Sequence, residues 1–273
     1  MLGRLTPAVK TLLLVNLVVH LVVYISKSKL GIDLYTLGGL HYITGDNFGV
    51  HQFFTYMFLH SYGDLWHLIG NMFGLFIFGP ILEQEWGSKR FMTYYIITGL
   101  GAGILFMGVD YYEVKQLEHK IEIYADNPGA NAFYDLMHKN PELVGEDSKA
   151  ANSTLKNLRA YPGDPVFVKN SLETISDGYW SYINGKVMVG ASGAIFGLIL
   201  AMALLFPNLQ FFLLFPPIPV KMKYLALFYG LYSAYQLYVN APGDNVAHLA
   251  HLGGMLVGFI MIKIWYGRNY RIY

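Results

Sequence analysis

The chain has no cysteine among its 273 residues, so disulfides are excluded and thiol chemistry says nothing about its compartment. Charge is scarce as well: 14% of residues are Asp, Glu, Lys or Arg, where soluble globular domains carry about a quarter. The formal net charge of +1 offers no electrostatic ground for a nucleic-acid partner. Internal repeats and low-complexity tracts are absent too. What the chain has in excess is apolar surface, with 54% hydrophobic and 16% aromatic residues and a mean hydropathy of +0.37. Lipid rather than water is the solvent such a composition suits. The few charges are unevenly placed. Residues 110–187 hold 12 of the 18 acidic side chains and 8 of the 19 basic ones, a net of −4, which leaves +5 for the other 195 residues. A weakly basic membrane body is interrupted by an acidic, water-loving stretch.

A membrane helix needs about 20 mostly apolar residues. Six candidates follow, at roughly 8–26, 64–85, 91–109, 189–206, 222–239 and 246–266. No small-x-small cleavage site follows the first, so it reads as a retained span rather than a signal peptide. Residues 27–50 are polar and Gly-rich, and read as an exposed loop. The apolar segment from Pro207 to Pro219 is broken by prolines and is expected to dip into the interface without spanning. Six spans put both termini on one side. Arg4, Lys10, Lys89, Arg90, Lys221, Lys223, Lys263, Arg268 and Arg271 fall on that side, against Lys27, Lys29, the run around Asp244 and the acidic stretch on the other. The positive-inside rule then makes both termini cytoplasmic. Without an Arg/Ser-rich mitochondrial leader, the expected location is a bacterial inner (plasma) membrane.

Within 110–187, Val114, Leu117, Ile121 and Tyr124 are spaced for one helix face. Asn127-Pro128-Gly129 and Tyr161-Pro162-Gly163-Asp164-Pro165 mark turns. A short helical domain outside the membrane and a solvated linker with nascent helices both fit. Asn152-Ser153-Thr154 matches the N-glycosylation pattern.

Polar groups inside spans are expensive in lipid, and each invites a functional reading. Ser192, in Gly190-Ala191-Ser192-Gly193-Ala194-Ile195-Phe196-Gly197, opens the fourth span. First-turn N–H groups there lack intrahelical partners and can hold a developing oxyanion. His248 and His251 open the sixth span, just before Gly253, Gly254 and Gly258. A histidine that accepts the serine proton turns a weak hydroxyl into a nucleophile. His67 and Asn71, four apart and preceded by His60, share a face of the second span and could supply side-chain donors. Each place also has a plain packing explanation. Gly193 with Gly197, and Gly254 with Gly258, are small-xxx-small pairs, and His67 with Asn71 could glue helices together. The alternating path, however, puts the starts of spans two, four and six on the same side at similar depth.

These three runs, His–(six residues)–His–x–x–x–Asn, Gly-Ala-Ser-Gly and Ala-His-x-Gly-Gly-x-x-x-Gly, resemble in order and span the signatures of the rhomboid proteases. The resemblance implies an all-α polytopic membrane protein, a six-helix rhomboid-like bundle over 1–273; the topology and charge pattern above make 110–187 an extracytoplasmic, helical insertion between spans three and four. It implies a Ser–His dyad without an acid, no cofactor or metal, and transmembrane protein substrates cleaved within the bilayer. By position, Ser192 matches the nucleophile and His251 the base. His67, Asn71 and the Ser192 amide match the oxyanion site, and Glu83 matches a structural acid. Gly193, Gly197, Gly254 and Gly258 match packing positions. His248 is not carried over, and Phe196 stands where some members have a tyrosine. The insertion departs from the family, whose connection there is usually short. It is expected to cover the opening to the serine or to recognise substrate.

Three other classes compete. A catalytically inactive rhomboid-like binding or chaperone scaffold would lack serine reactivity. A metalloprotease or metal transporter built on His51, His60, His67, His248 and His251 lacks His-Glu-x-x-His. An aspartyl protease needs two intramembrane aspartates, and Asp110 and Asp244 sit at span ends.

Overall fold

The computed structural model describes residues 5–144, 148–212, 218–239 and 247–267. Arg4, Asp244, Arg268 and Arg271, used above, and residues 213–217 of the proline-broken segment lie outside them. The described chain is helical almost throughout. In order come α1 (Pro7–Ile25), α2 (Tyr35–Gly38), α3 (Gln52–Thr55), α4 (Leu65–Trp86), α5 (Ser88–Asp126), α6 (Ala130–Lys139), α7 (Ser148–Ala160), α8 (Pro165–Gly185), α9 (Ser192–Leu205), α10 (Met222–Val239) and α11 (His248–Tyr266).

Local chemistry sets the ends of these helices. Proline occupies the first position of α1 and of α8, where its missing N–H costs nothing. The Asp64 carboxylate accepts the Trp66 amide at 2.9 Å to open α4, and Asp164 accepts the Val166 amide at 2.8 Å to open α8. Gly87, at φ +75°, lets the chain turn between α4 and α5.

Among the described residues, four helices are long and apolar enough to cross a membrane: α1 with its extension to Leu30, α4, α5 and α11. The six expected spans are thus met by length and composition at four places. α9 is apolar but has only 14 residues, about 21 Å at 1.5 Å per residue. In α10, Tyr224, Tyr229, Tyr232, Tyr235 and Tyr238 dilute the apolar run. α1 turns Leu14, Leu17, Val18 and Leu21 outward, each at least half exposed, as lipid-facing side chains do. The helix that carries the third expected span, α5, runs on past residue 109 without a break, 39 residues in all, to Asp126. One expectation changes: the 27–50 stretch is not simply an exposed loop, since Leu40 and Tyr42 are buried. At the two ends of the proline-broken segment, Gln210–Phe212 and Pro219–Lys221 pair antiparallel, with Gln210 facing Lys221 and Phe212 facing Pro219.

The chain divides into two compact units. One comprises Met1–Leu40, Gly49–Phe106 and Met188–Tyr273. Its centre is a three-helix contact built from small residues. A β-carbon on Gly254 of α11 would overlap the Gly193 carbonyl of α9, and one on Gly258 would overlap the Tyr94 hydroxyl of α5. The same addition at Gly193 would stand 2.5 Å from the Ala102 Cβ. Only glycine permits backbones to approach this far. The Tyr94 hydroxyl donates to the Gly197 carbonyl at 2.9 Å, so both of these buried polar groups are paired. Where α4 and α11 end and α5 begins, Trp86 packs on Tyr94 and Trp265, with the Arg90 guanidinium 4.4 Å from the Trp265 ring centre.

The second unit comprises His41–Phe48 and Met107–Val187. It has its own core of Leu117, Tyr124, Phe133, Leu136, Met137, Leu143, Leu158 and Ile175, so a bare linker is not what the segment forms. Leu117 and Tyr124, from the helix face read in the sequence, belong to that core, and Val114 is fully buried. Asn184 clasps the 41–48 segment by donating to the Asp46 carboxylate at 2.8 Å and accepting the Asp46 amide at 2.9 Å. Nearby, the Lys186 ammonium donates to the Asp110 carboxylate at 2.7 Å, with 21% and 8% of their side chains exposed. Burial disfavours the Lys186 charge, but Asp110 outweighs that cost and holds its pKa above the ordinary value. Lys186 therefore keeps its proton across the neutral range.

Two outcomes follow. Lys186→Met strands a buried carboxylate and costs roughly 3 kcal/mol, measured as about a hundredfold faster amide exchange in α8. Gly254→Val forces α11 off α9 and costs about 1–3 kcal/mol, read as a lower unfolding midpoint in detergent. Gly108→Ala, inside α5 where an added β-carbon meets nothing within 4 Å, does not lower that midpoint.

Candidate active site

Ser192 is the first residue of α9, after Ala191 at the cap. Its amide N–H therefore has no acceptor within the helix. Gly190, two residues earlier, holds φ +125°, a conformation closed to other residues. The Gly190 amide donates to the Tyr56 carbonyl at 2.9 Å, which anchors the turn that delivers the serine. His251 lies on the first turn of α11, three residues before Gly254 and so on the same face. Helix contact at Gly254 consequently sets its ring beside α9. The result is a hydrogen bond of 2.9 Å between His251 Nε2 and Ser192 Oγ. Phe196, one turn along α9 from Ser192, stacks flat on the imidazole, with centroids 4.0 Å apart and planes 13° from parallel. Tyr229 of α10 meets Phe196 edge-on at 5.6 Å.

His248 does not reach the serine in this way. Its ring stands edge-on to His251 at 5.7 Å and to Tyr232 at 5.9 Å. The alternation of one helical turn decides between the two histidines.

His67 and Asn71 lie on the face of α4 that lines the same cavity as Ser192. A β-carbon placed on Gly190 would be 2.8 Å from His67 Nε2 and 3.9 Å from Ser192 Oγ, so both groups converge on that glycine. The Ser61 amide points at His67 Nδ1 over a long 3.5 Å contact. A nitrogen that accepts is unprotonated, which leaves the proton on Nε2, the atom facing the cavity. Asn71 has a partner of its own on α4. Its Nδ2 donates to the His67 carbonyl at 2.7 Å, one turn back on its own helix. One of its two amide hydrogens is thereby used and the second remains for a ligand.

Glu83 lies far from these groups along α4, buried near the helix end. Its carboxylate accepts the amides of Ala8 and Val9 at 2.9 Å each, the Ser88 hydroxyl at 2.6 Å, and the Thr6 hydroxyl. One acid thus caps α1 and reaches the first residue of α5. Chain separation hid these partners from a reading of the sequence. Two other features were equally hidden: Tyr56 as the anchor of Gly190, and Gly70, which stands between His67 and Asn71 in the cavity wall. The position of Gly70 on the His67–Asn71 face was its only available signal.

The histidines of the metal-centred alternative include two pairs, His60 with His67 at 5.2 Å and His248 with His251 at 5.7 Å between ring centres. His51 bonds the Leu37 carbonyl, and among the described residues no group of three or more His, Asp and Glu side chains could hold a metal ion. A serine hydroxyl on an imidazole, beside an imidazole N–H and an amide N–H, can instead form and stabilise a tetrahedral oxyanion.

The rhomboid domain model matches residues 47–114 and 167–268. It contains Ser192, His251, His67, Asn71 and Glu83, and passes over 115–166, inside the second unit. Comparison with curated proteins and with solved structures returns no match. Rhomboid proteins are intramembrane proteases, with inactive homologues among them. With more than half of its chain inside that match, this integral membrane protein belongs to the rhomboid family.

Proposed function

We propose that the chain is an intramembrane serine endopeptidase that cleaves transmembrane proteins in or near their membrane segments. The observation that carries this reading is the 2.9 Å contact between Ser192 Oγ and His251 Nε2. His251 takes the Ser192 proton as the oxygen attacks the scissile carbonyl. The tetrahedral oxyanion accepts hydrogen bonds from the Ser192 amide, His67 Nε2–H and the second Asn71 Nδ2–H. The imidazolium then protonates the leaving amine, the C–N bond breaks, and an acyl-serine remains. Water, deprotonated by the same imidazole, releases the acid product and restores the hydroxyl. Nothing in this cycle calls for a metal or cofactor. Phe196 holds the imidazole in plane, a task that an acid performs in a triad.

In this reading α9 and α10 complete a six-span bundle with both termini cytoplasmic, in a bacterial inner membrane. Residues 110–187 form an extracytoplasmic insertion in that single membrane domain. The short α9 supports a serine set below the membrane surface, since its chain enters as a non-helical turn at Gly190. Gly193, Gly197, Gly254, Gly258 and Glu83 act as framework.

The alternative is an inactive rhomboid-like scaffold that binds membrane proteins, and serine reactivity separates the two. Purified protein should label with a fluorophosphonate and cut a helix-destabilised single-span substrate, with or without a strong chelator. Ser192→Ala should abolish both, and His251→Ala should abolish cleavage with folding intact. His67→Ala or Asn71→Ala should each lower kcat roughly 10²–10³-fold. A wild type that does not label, or a Ser192→Ala that labels equally, would establish the scaffold reading.

A further inference from the structure

Two hydrogen-bonded junctions, one in each unit, are joined by short runs of chain. In the second unit Asn184 holds Asp46 twice, through the Asp46 carboxylate at 2.8 Å and the Asp46 amide at 2.9 Å. In the other unit the Tyr56 carbonyl accepts the Gly190 amide at 2.9 Å, two residues before the serine. Asp46 leads to Tyr56 in ten residues, and Asn184 leads to Gly190 in six. Chain and hydrogen bonds therefore close a ring, from 46 along to 56, across to 190, back to 184 and across to 46. Ser192 follows directly from it.

Most of the ring is held firmly. The Asp46 turn is closed by the Gly45 amide on the Tyr42 carbonyl at 2.9 Å and the Phe48 amide on the Gly45 carbonyl at 3.2 Å. A β-carbon on Gly45 would lie 3.3 Å from Asn184 Oδ1 and 3.5 Å from the buried Ile183, so this turn fits closely against α8. α3 occupies part of the 46–56 run, where the Thr55 hydroxyl donates to the Gly38 carbonyl at 2.7 Å. Tyr56 is buried and its hydroxyl donates to the Gly99 carbonyl at 2.7 Å. Gly190 is the soft point. It has no side chain to pack, and at φ +125° it occupies one of the many conformations open to glycine.

The cost of closing a flexible loop rises with the logarithm of its length. Tyr56 and Gly190 are about 134 residues apart along the chain but only about 16 through the clasp. By loop length alone, the shorter path lets an opened Gly190–Tyr56 bond re-form roughly 20-fold more readily. The rest of the unit also restrains both ends, so this figure is a ceiling. We infer that Asp46 and Asn184 are positioning residues for Ser192: their clasp keeps the serine turn closed, and the insertion acts on catalysis through the chain. The catalytic half of this inference rests on the protease reading above, and the Gly190 amide reports on the turn without any activity.

The test uses the full chain in detergent. Asn184→Asp sets a second carboxylate against that of Asp46 and opens the clasp. Combining it with Asp46→Asn keeps the bond from the backbone amide and rebuilds the side-chain bond with donor and acceptor exchanged. In Asn184→Asp, kcat and the rate of Ser192 labelling by a small fluorophosphonate should fall together, about 3- to 20-fold. KM and the unfolding midpoint should stay near the wild type. Hydrogen exchange at the Gly190 amide, followed by mass spectrometry, should quicken by a similar factor, and the double exchange should restore all three quantities. A loss that the double exchange does not recover overturns the inference. So does a changed KM with the labelling rate unmoved, which marks an insertion that handles substrate directly. If Asn184→Asp does not fold, Asp46→Ala, which removes one bond, decides on the same readouts: faster Gly190 exchange with slower labelling supports the clasp, and no change overturns it. A wild type that neither labels nor cleaves refutes the protease reading and takes the positioning role with it, whereas an active wild type whose Gly190 amide ignores the clasp refutes the clasp alone.

Discussion

Backbone meets backbone where Gly254 of α11 lies on Gly193 of α9, and the rest of the site is arranged around that contact. In lipid, helices gain nothing by hiding apolar surface from one another, since the acyl chains are as apolar as leucine. Their separation is set by how closely van der Waals surfaces fit. Glycine on both sides brings two helix axes nearer than any pair of larger residues allows. Ser192 is the neighbour of one of these glycines and His251 shares a face with the other. Their 2.9 Å hydrogen bond is a by-product of helix distance rather than of long, adjustable side chains. The same closeness brings Phe196 flat onto the imidazole and Gly197 under the Tyr94 hydroxyl.

α4 carries two kinds of glycine. Gly74 repeats the logic of the seam, its missing side chain filled by Ile195. Gly70 does the opposite, and the space it leaves is open. A helix can thus use one residue type at successive turns for contact and for vacancy, and only the surroundings tell them apart.

Much of the site could be read in the sequence because membrane helices make spacing informative. His67 and Asn71 at i and i+4, His251 and Gly254 at i and i+3, and Ser192 at a helix start are local relations with local consequences. The relations that escaped are those that depend on distant partners or on where a helix stops. No spacing rule joins Asp46 to Asn184, so 27–50 looked like loop. Polar residues after 109 suggested that the third span ended there. Helix needs only backbone bonds and tolerates solvent on all sides, and α5 continues to Asp126 with Val114 and Leu117 still buried. The Asn71 amide spends one N–H on the i−4 carbonyl, a local bond that the spacing reading of His67 and Asn71 did not include. α9 was seen as an ordinary span, whereas its 14 residues begin only at the serine.

The Glu83 carboxylate has a bearing on how the chain comes to be built. The amides it receives lie 75 and 74 positions earlier, at the start of α1. At about 5–20 residues per second, roughly 4 to 15 s of synthesis separate the emergence of those amides from that of their cap. Throughout that interval α1 carries an incomplete amino end, and α4 completes it on arrival. Assembly of this bundle therefore has a built-in order, in which the second long helix closes the first and its carboxylate then awaits Ser88, five residues behind, to fix where the third begins.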